Sequence, residues 1–155
     1  MIMRETFTPK SKRYVDRVEK SFAKQGIMGL FGARLSSVLP GEVVLELDFS
    51  SDLTQQHGFL HAGVTTAMMD SAAGYAAYSL MPDDASVLTV EFKTNLLAPA
   101  KGEHFRFIGK VLKPGRIITF TEAEAIAIDA NGHQKKIATL SATMMAVTGR
   151  EDVKE

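Results

Sequence analysis

His61-Ala-Gly-Val-Thr-Thr-Ala-Met-Met-Asp70-Ser-Ala-Ala-Gly-Tyr-Ala-Ala-Tyr-Ser-Leu80 is the stretch on which the fold turns. It is too long for one strand, it is rich in Ala and Met, and Pro82 closes it, so a helix is predicted over His61 to about Leu80. On both sides the apolar period changes. Upstream, Arg34 to Leu39, Pro40-Gly41 and Val43 to Phe49 read as strand, turn and strand, with Val43, Leu45, Leu47 and Phe49 on one face. Downstream, four further strands are predicted. Val87 to Leu97 alternates, with Leu88, Val90 and Phe92 opposite Thr89, Glu91 and Lys93. His104 to Leu112, Arg116 to Ile128 and Gln134 to Val147 follow, separated by Pro114-Gly115 and by Asp129-Ala-Asn-Gly132.

Ahead of the hairpin, Ser11 to Lys24 has the spacing of a surface helix, with Val15, Val18 and Phe22 on one face and Gly26 as its stop. One long helix inserted between a hairpin and an antiparallel meander is an α+β arrangement, the helix covering one face of the sheet. The expected organisation is an N-terminal helical segment over 1–31, one domain over 32–147 and a charged, frayed tail over 148–155.

Composition narrows the function. The 155 residues can bury a substantial core without staples, and there is no Cys, which removes disulfides, thiol nucleophiles and thiolate metal sites. A reducing, cytoplasmic setting fits that composition. Eighteen basic and eighteen acidic residues balance, so no global field favours nucleic acid or an acidic membrane. Met1 to Tyr14 is polar and basic with no apolar run behind it, unlike a secretory signal, and no segment reaches membrane-spanning length. The four His residues are scattered, no metal site is expected, and neither a Gly-x-Ser-x-Gly elbow nor a phosphate-cradling Gly-rich loop is present.

What remains is Asp70. A mid-helix Asp is intrinsically disfavoured, and no Lys or Arg occurs from Asp52 to Pro82 to neutralise it. Its helical neighbours Thr66, Ala67, Ala73, Gly74 and Ala77 are small. They read either as a slot beside the carboxylate or as a close-packing surface. At the helix start, the N–H groups of Ala62 and Gly63 lack intrahelical partners and could hold a developing oxyanion, aided by the helix dipole. His61 lies too far along the helix for a dyad with Asp70 and suits an orienting or structural role. Gln55 and Gln56, in the preceding loop, carry amides able to donate to a carbonyl or position a water. A base or nucleophile together with an oxyanion pocket is the equipment of acyl transfer.

The combination of His61-Ala-Gly63, Asp70-Ser-Ala-Ala-Gly-Tyr75, Leu88-Thr-Val-Glu-Phe-Lys-Thr-Asn-Leu-Leu-Ala-Pro-Ala100, Lys113-Pro-Gly-Arg116 and Ala138-Thr-Leu-Ser-Ala-Thr143 resembles the hotdog-fold acyl-CoA thioesterases. Within them it is most similar to the branch related to the phenylacetate-pathway thioesterases, and the likeness runs from about Gly32 to Val147. It implies a long helix wrapped by a curved antiparallel sheet, paired helices in a homodimer, a dimer of such dimers, and active sites between subunits. By the same resemblance Asp70 is nucleophile or general base, the Ala62 amide polarises the thioester carbonyl, Gln55 assists it, and Thr89 completes the catalytic set.

The family usually has Gly where this chain has Ala62. The resemblance further implies substrate contacts at His61, Gly63, Met69, Lys113 and Arg116, with Lys93, Lys101 and Arg106 as other cations for coenzyme A. Met68, Met69, Tyr75 and Phe59 are the candidate acyl-pocket lining. No cofactor is expected beyond the coenzyme A of the substrate. The competing readings are a hotdog module that binds acyl-CoA without hydrolysing it, and a hydratase, whose helix would carry a His base that this one lacks.

Overall fold

The computed structural model describes residues 6–153. Two helices lead the chain, α1 (Tyr14–Lys24) and α2 (Gly26–Phe31), followed by the hairpin β1 (Arg34–Leu39) and β2 (Glu42–Asp48). The central helix α3 (Ala62–Tyr78) comes next, and then β3 (Ala85–Leu96), β4 (His104–Lys113), β5 (Ile118–Ile128) and β6 (Gln134–Thr148). The six strands form one antiparallel sheet in the order β1-β2-β4-β5-β6-β3. Helix α3 packs on β2 through β6, giving the hotdog arrangement of a helix wrapped by a sheet.

The consecutive meander is present only in β4-β5-β6. Strand β3 crosses to the far edge and pairs with β6. Its strict alternation is also broken. A bulge between Thr89 and Glu91 puts Thr89 opposite Met144 and Phe92 opposite Ala142, on the face toward α3. Leu88 and Val90 do not enter the core and are exposed.

The helix start and stop follow local chemistry. The His61 side chain caps α3, accepting from the Gly63 N–H at 2.8 Å. At the far end Ser79 terminates the helix and its hydroxyl accepts from the Gly41 N–H at 2.8 Å, tying the β1–β2 turn to α3. Close approach requires Gly109 on β4, where an added Cβ would stand 2.2 Å from the Ala72 backbone. Of the small-residue strip, Ala73 and Ala77 are buried, as are their neighbours Ala72 and Ala76, so close packing accounts for that part of it.

Helix α1 begins at Tyr14, later than read from the sequence, because Ser11 turns back to accept from the Arg13 N–H. Val18 is buried on it, whereas Val15 is exposed. Gly26 does not stop the helical run but starts α2. The break falls at the extended Gln25, and Gly32 (φ 72°) supplies the left-handed cap. Arg17 locks α1 down, donating to the Met81 and Ala85 carbonyls and lying 4.4 Å from the Tyr78 ring centroid. The C-terminal segment is less frayed than expected, since Glu151–Val153 form a 3-10 turn whose Val153 carbonyl accepts from the Ser86 hydroxyl. Residues 1–5 of the N-terminal segment and 154–155 of the tail lie outside the described residues. No described helix is long and apolar enough to cross a membrane.

Candidate active site

Asp70 sits mid-way along α3, half-buried, with Thr89 of the same chain donating its hydroxyl to Oδ1 at 2.8 Å. The Met144 sulfur is also within 3.4 Å of that hydroxyl. A hydroxyl has one proton, and the carboxylate is much the stronger acceptor. Burial pushes the Asp70 carboxyl above the usual carboxylate range, while the Thr89 hydrogen bond pulls it partly back. The second oxygen, Oδ2, has no hydrogen-bond partner among the described residues. Asp70 lines a cleft of about 330 Å³ together with Ser71, Gly74, Tyr75, Thr89 and the α1 end residues Ser21, Lys24 and Gln25. Gly74 is therefore the one member of the small strip, as read from the sequence, that lines the cleft with the acid.

The other half of the equipment stands at the start of α3. Thr54 bridges to Leu60, and Gly58 (φ 81°) closes a tight turn in which Gln55 N–H donates to the Phe59 carbonyl at 2.9 Å. The Gln55 side-chain oxygen accepts from the His57 N–H, which leaves its NH₂ group as the donating end. Gln55, Ala62, Phe59 and Thr65 line a common cavity of about 450 Å³. The Thr65 hydroxyl, buried one turn on from Ala62, makes no hydrogen bond.

Two expectations for this end change. Gly63 cannot serve as a second oxyanion donor, because its N–H is taken by His61. The replacement of Gly by Ala62 is sterically free: Ala62 is the first residue of α3, and among the described residues only glycines have positive φ. The Ala62 N–H remains the available donor at this helix start.

Within one chain the two halves do not meet. Eight residues of helix separate Ala62 from Asp70, about 12 Å at the helical rise. A single carbonyl cannot touch both. The proposed substrate contacts scatter as well. Met69, like Met68, is wholly buried in the core, so both are packing residues rather than pocket lining. Lys113 and Arg116 stand exposed on the β4–β5 hairpin. Arg116 borders a cavity with Ala77 and Leu80 at the C-terminal end of α3, away from Ala62. Arg106 is engaged by Glu46 at 3.6 Å. Lys101 is better placed: it lines a cavity of about 720 Å³ that shares Phe59 and Pro99 with the Gln55–Ala62 cavity. Sequence reasoning missed Ser21, Lys24 and Gln25, since nothing in α1 marks them as neighbours of a carboxylate in another helix.

A long central helix wrapped by such a sheet, with a half-buried carboxylate beside a cleft, defines a class, the hotdog-fold proteins. Comparison with known proteins agrees. Residues 57–131 match the thioesterase superfamily. A thioesterase family protein from Silicibacter pomeroyi is 51% identical, with 88% of this chain and 99% of that chain covered and a TM-score of 0.86. Human acyl-coenzyme A thioesterase 13 is 30% identical over 91 residues, 58% of this chain and 64% of that protein. The E. coli PaaI protein from the phenylacetic acid degradation operon shares the fold, with a TM-score of 0.78 at 15% identity over 90% of this chain and 97% of that one. The chain belongs to the thioesterase superfamily and is a thioester hydrolase with the hotdog fold.

Proposed function

We propose that the substrate is an acyl-CoA thioester, cleaved to free acid and CoA at a site made by two copies of the chain. The observation that carries this reading is Asp70: half-buried, with one oxygen held by Thr89 and, among the described residues, no cation partner and no partner for the other oxygen, which stands beside a cleft. As general base, Asp70 takes a proton from water, and the hydroxide attacks the carbonyl carbon. The oxyanion is held by the Ala62 N–H and the Gln55 amide, and the tetrahedral intermediate collapses to release the thiolate, which recovers the proton. As nucleophile, Asp70 would displace the thiolate to form a mixed anhydride that water then opens. Neither route calls for a metal or a redox cofactor. Single turnover in ¹⁸O-water separates them, because only the anhydride route can leave label in Asp70.

A homodimer reconciles the 12 Å separation, since Asp70 of one copy can face Ala62 of the other. The edge strand β3 supports it: Phe92 and Leu96 are 48% and 59% exposed on the face toward α3, beside an unpaired strand edge. A dimer of such dimers and a cytoplasmic location complete the proposal, the latter supported by the absence of Cys.

The test is thiol release across short, medium and aryl acyl-CoA substrates, with Asp70→Asn as control. Turnover is expected for wild type and a loss of about a thousandfold or more for the variant, in keeping with removal of a proton acceptor and its charge. Tight acyl-CoA binding with no thiol release would instead favour a binding module, and near-normal hydrolysis by folded Asp70→Asn would refute the role of the acid.

A further inference from the structure

The cleft beside Asp70 has an unusual wall. Apart from Val87 and Gly74, every residue that lines it carries a hydrogen-bonding group. Gln25, the extended residue between α1 and α2, donates from Nε2 to the Tyr75 hydroxyl at 2.8 Å and accepts at Oε1 from the Ser71 hydroxyl at 3.1 Å. The Tyr75 hydroxyl in turn meets the Ser21 hydroxyl at 3.2 Å. This relay pins α1 across α3 one turn beyond the acid, and Gln25, Ser71, Tyr75 and Ser21 all line the cleft.

A side-chain amide has two N–H groups and two acceptor lone pairs. The two bonds to Tyr75 and Ser71 use half of that capacity and fix the orientation of the amide. One N–H and one lone pair of Gln25 remain. A purely apolar tail pressed against them would strip their water and return nothing, whereas a hydroxyl or carbonyl would satisfy them. The cleft is small, about 330 Å³, at the low end of ligand pockets, and coenzyme A is far too large for it. If the thioester lies at Asp70, the acyl group is the part that enters. Tyr75 is five residues along α3 from Asp70, an axial rise of about 7.5 Å, comparable with the reach of an acyl chain of roughly four to six carbons.

From this geometry we infer that Gln25, supplied by the N-terminal segment, is a specificity-determining residue that selects acyl groups bearing a neutral hydrogen-bonding group at their distal end. The inference rests on the thioesterase reading of Asp70. Neutral groups are favoured over anionic ones because Asp70 shares the cleft, and Lys24, the cation that lines it, stands at its exposed rim.

The test compares kcat/KM for matched CoA thioesters: butanoyl with 4-hydroxybutanoyl, hexanoyl with 6-hydroxyhexanoyl, and 3-phenylpropanoyl with 3-(4-hydroxyphenyl)propanoyl. Wild type is expected to prefer the hydroxylated member of at least one pair by about fivefold to tenfold, the worth of one neutral hydrogen bond. Gln25→Leu, close in volume, is expected to erase that ratio, costing the hydroxylated member about fivefold to tenfold more than the plain one. A residue that merely holds α1 in place would lower both members together. Should Gln25→Leu not fold, Gln25→Ala serves the same comparison. Equal rates within every pair, an unchanged ratio in the folded variant, or faster hydrolysis of adipoyl-CoA than of 6-hydroxyhexanoyl-CoA would each overturn the inference while leaving the thioesterase reading intact. No thiol release from any member would overturn both.

Discussion

The two ends of α3 solve different problems. At its start, a helix terminus offers one backbone donor, Ala62 N–H, beside a loop amide, Gln55, and the geometry comes from the turn at Gly58 and the cap at His61. Two turns further on, the site is built from side chains that converge from three elements: Asp70 on α3, Thr89 on β3 and Gln25 after α1. The first half is local in sequence. The second exists only because β3 crosses to β6 with Thr89 on the face toward α3 and because α1 is folded back across α3. Each half lacks what the other holds, and the proposed homodimer is what would bring the two to a single carbonyl.

That complementarity can be broken directly. Ala62→Pro removes only the N–H, at the helix position where Pro is best tolerated, so the variant is expected to fold normally and lose activity by about a hundredfold or more. Asp70→Asn removes the acid from the opposite half. Mixed and reassembled, the two inactive variants are expected to recover roughly a quarter of wild-type thioesterase activity, because half the dimers are hybrids with one intact site each. No recovery after verified subunit exchange would show that both halves act within one chain.

A smaller effect is expected at Thr89. Thr89→Val keeps the shape and removes the hydroxyl that holds Oδ1. Turnover should fall about tenfold, and the low-pH limb of the rate profile should move to higher pH, since the hydrogen bond that lowers the Asp70 pKa is gone. An unmoved limb would mean that the acid in that profile is not Asp70.

The smallest effect is on stability. Burial raises the folded pKa of Asp70 above its unfolded value. The stability it contributes is therefore fully present below about pH 4, the unfolded range, and is lost as pH rises through the folded value. Asp70→Asn does not suffer that loss. At neutral pH it is expected to melt a few degrees above wild type, with the gap closing below about pH 4, as followed by thermal denaturation. A variant that melts below wild type at neutral pH would show that the carboxylate is compensated in a way its surroundings do not reveal.

The comparison also marks how far the chain could be read unaided. The amphipathic spacing of β2, the length of α3 and the turn signals at Pro40-Gly41 and Asn131-Gly132 gave the elements, because those signals are local. Asp70 stood out for the same reason: a carboxylate in an apolar helix with no cation nearby in sequence is costly wherever the chain places it. Thr89 came from likeness to a family, since alternation alone leaves the bulge in β3 invisible. Met69 was misjudged because helical position does not say which buried face meets a pocket. Gln25 gave no signal, since its partners Ser71 and Tyr75 lie far away in the chain, and Lys101 was named only as one of several cations that local sequence does not tell apart.

The sequence by itself determined the helix, most of the strand boundaries and the identity of the costly acid, all consequences of backbone preference and of burying charge. Tertiary structure decided what that acid is held by, which amide at the helix start stays free, and that a glutamine from the N-terminal segment faces the same cleft. Those are matters of distance between segments brought together by packing, and local preference contains no information about them.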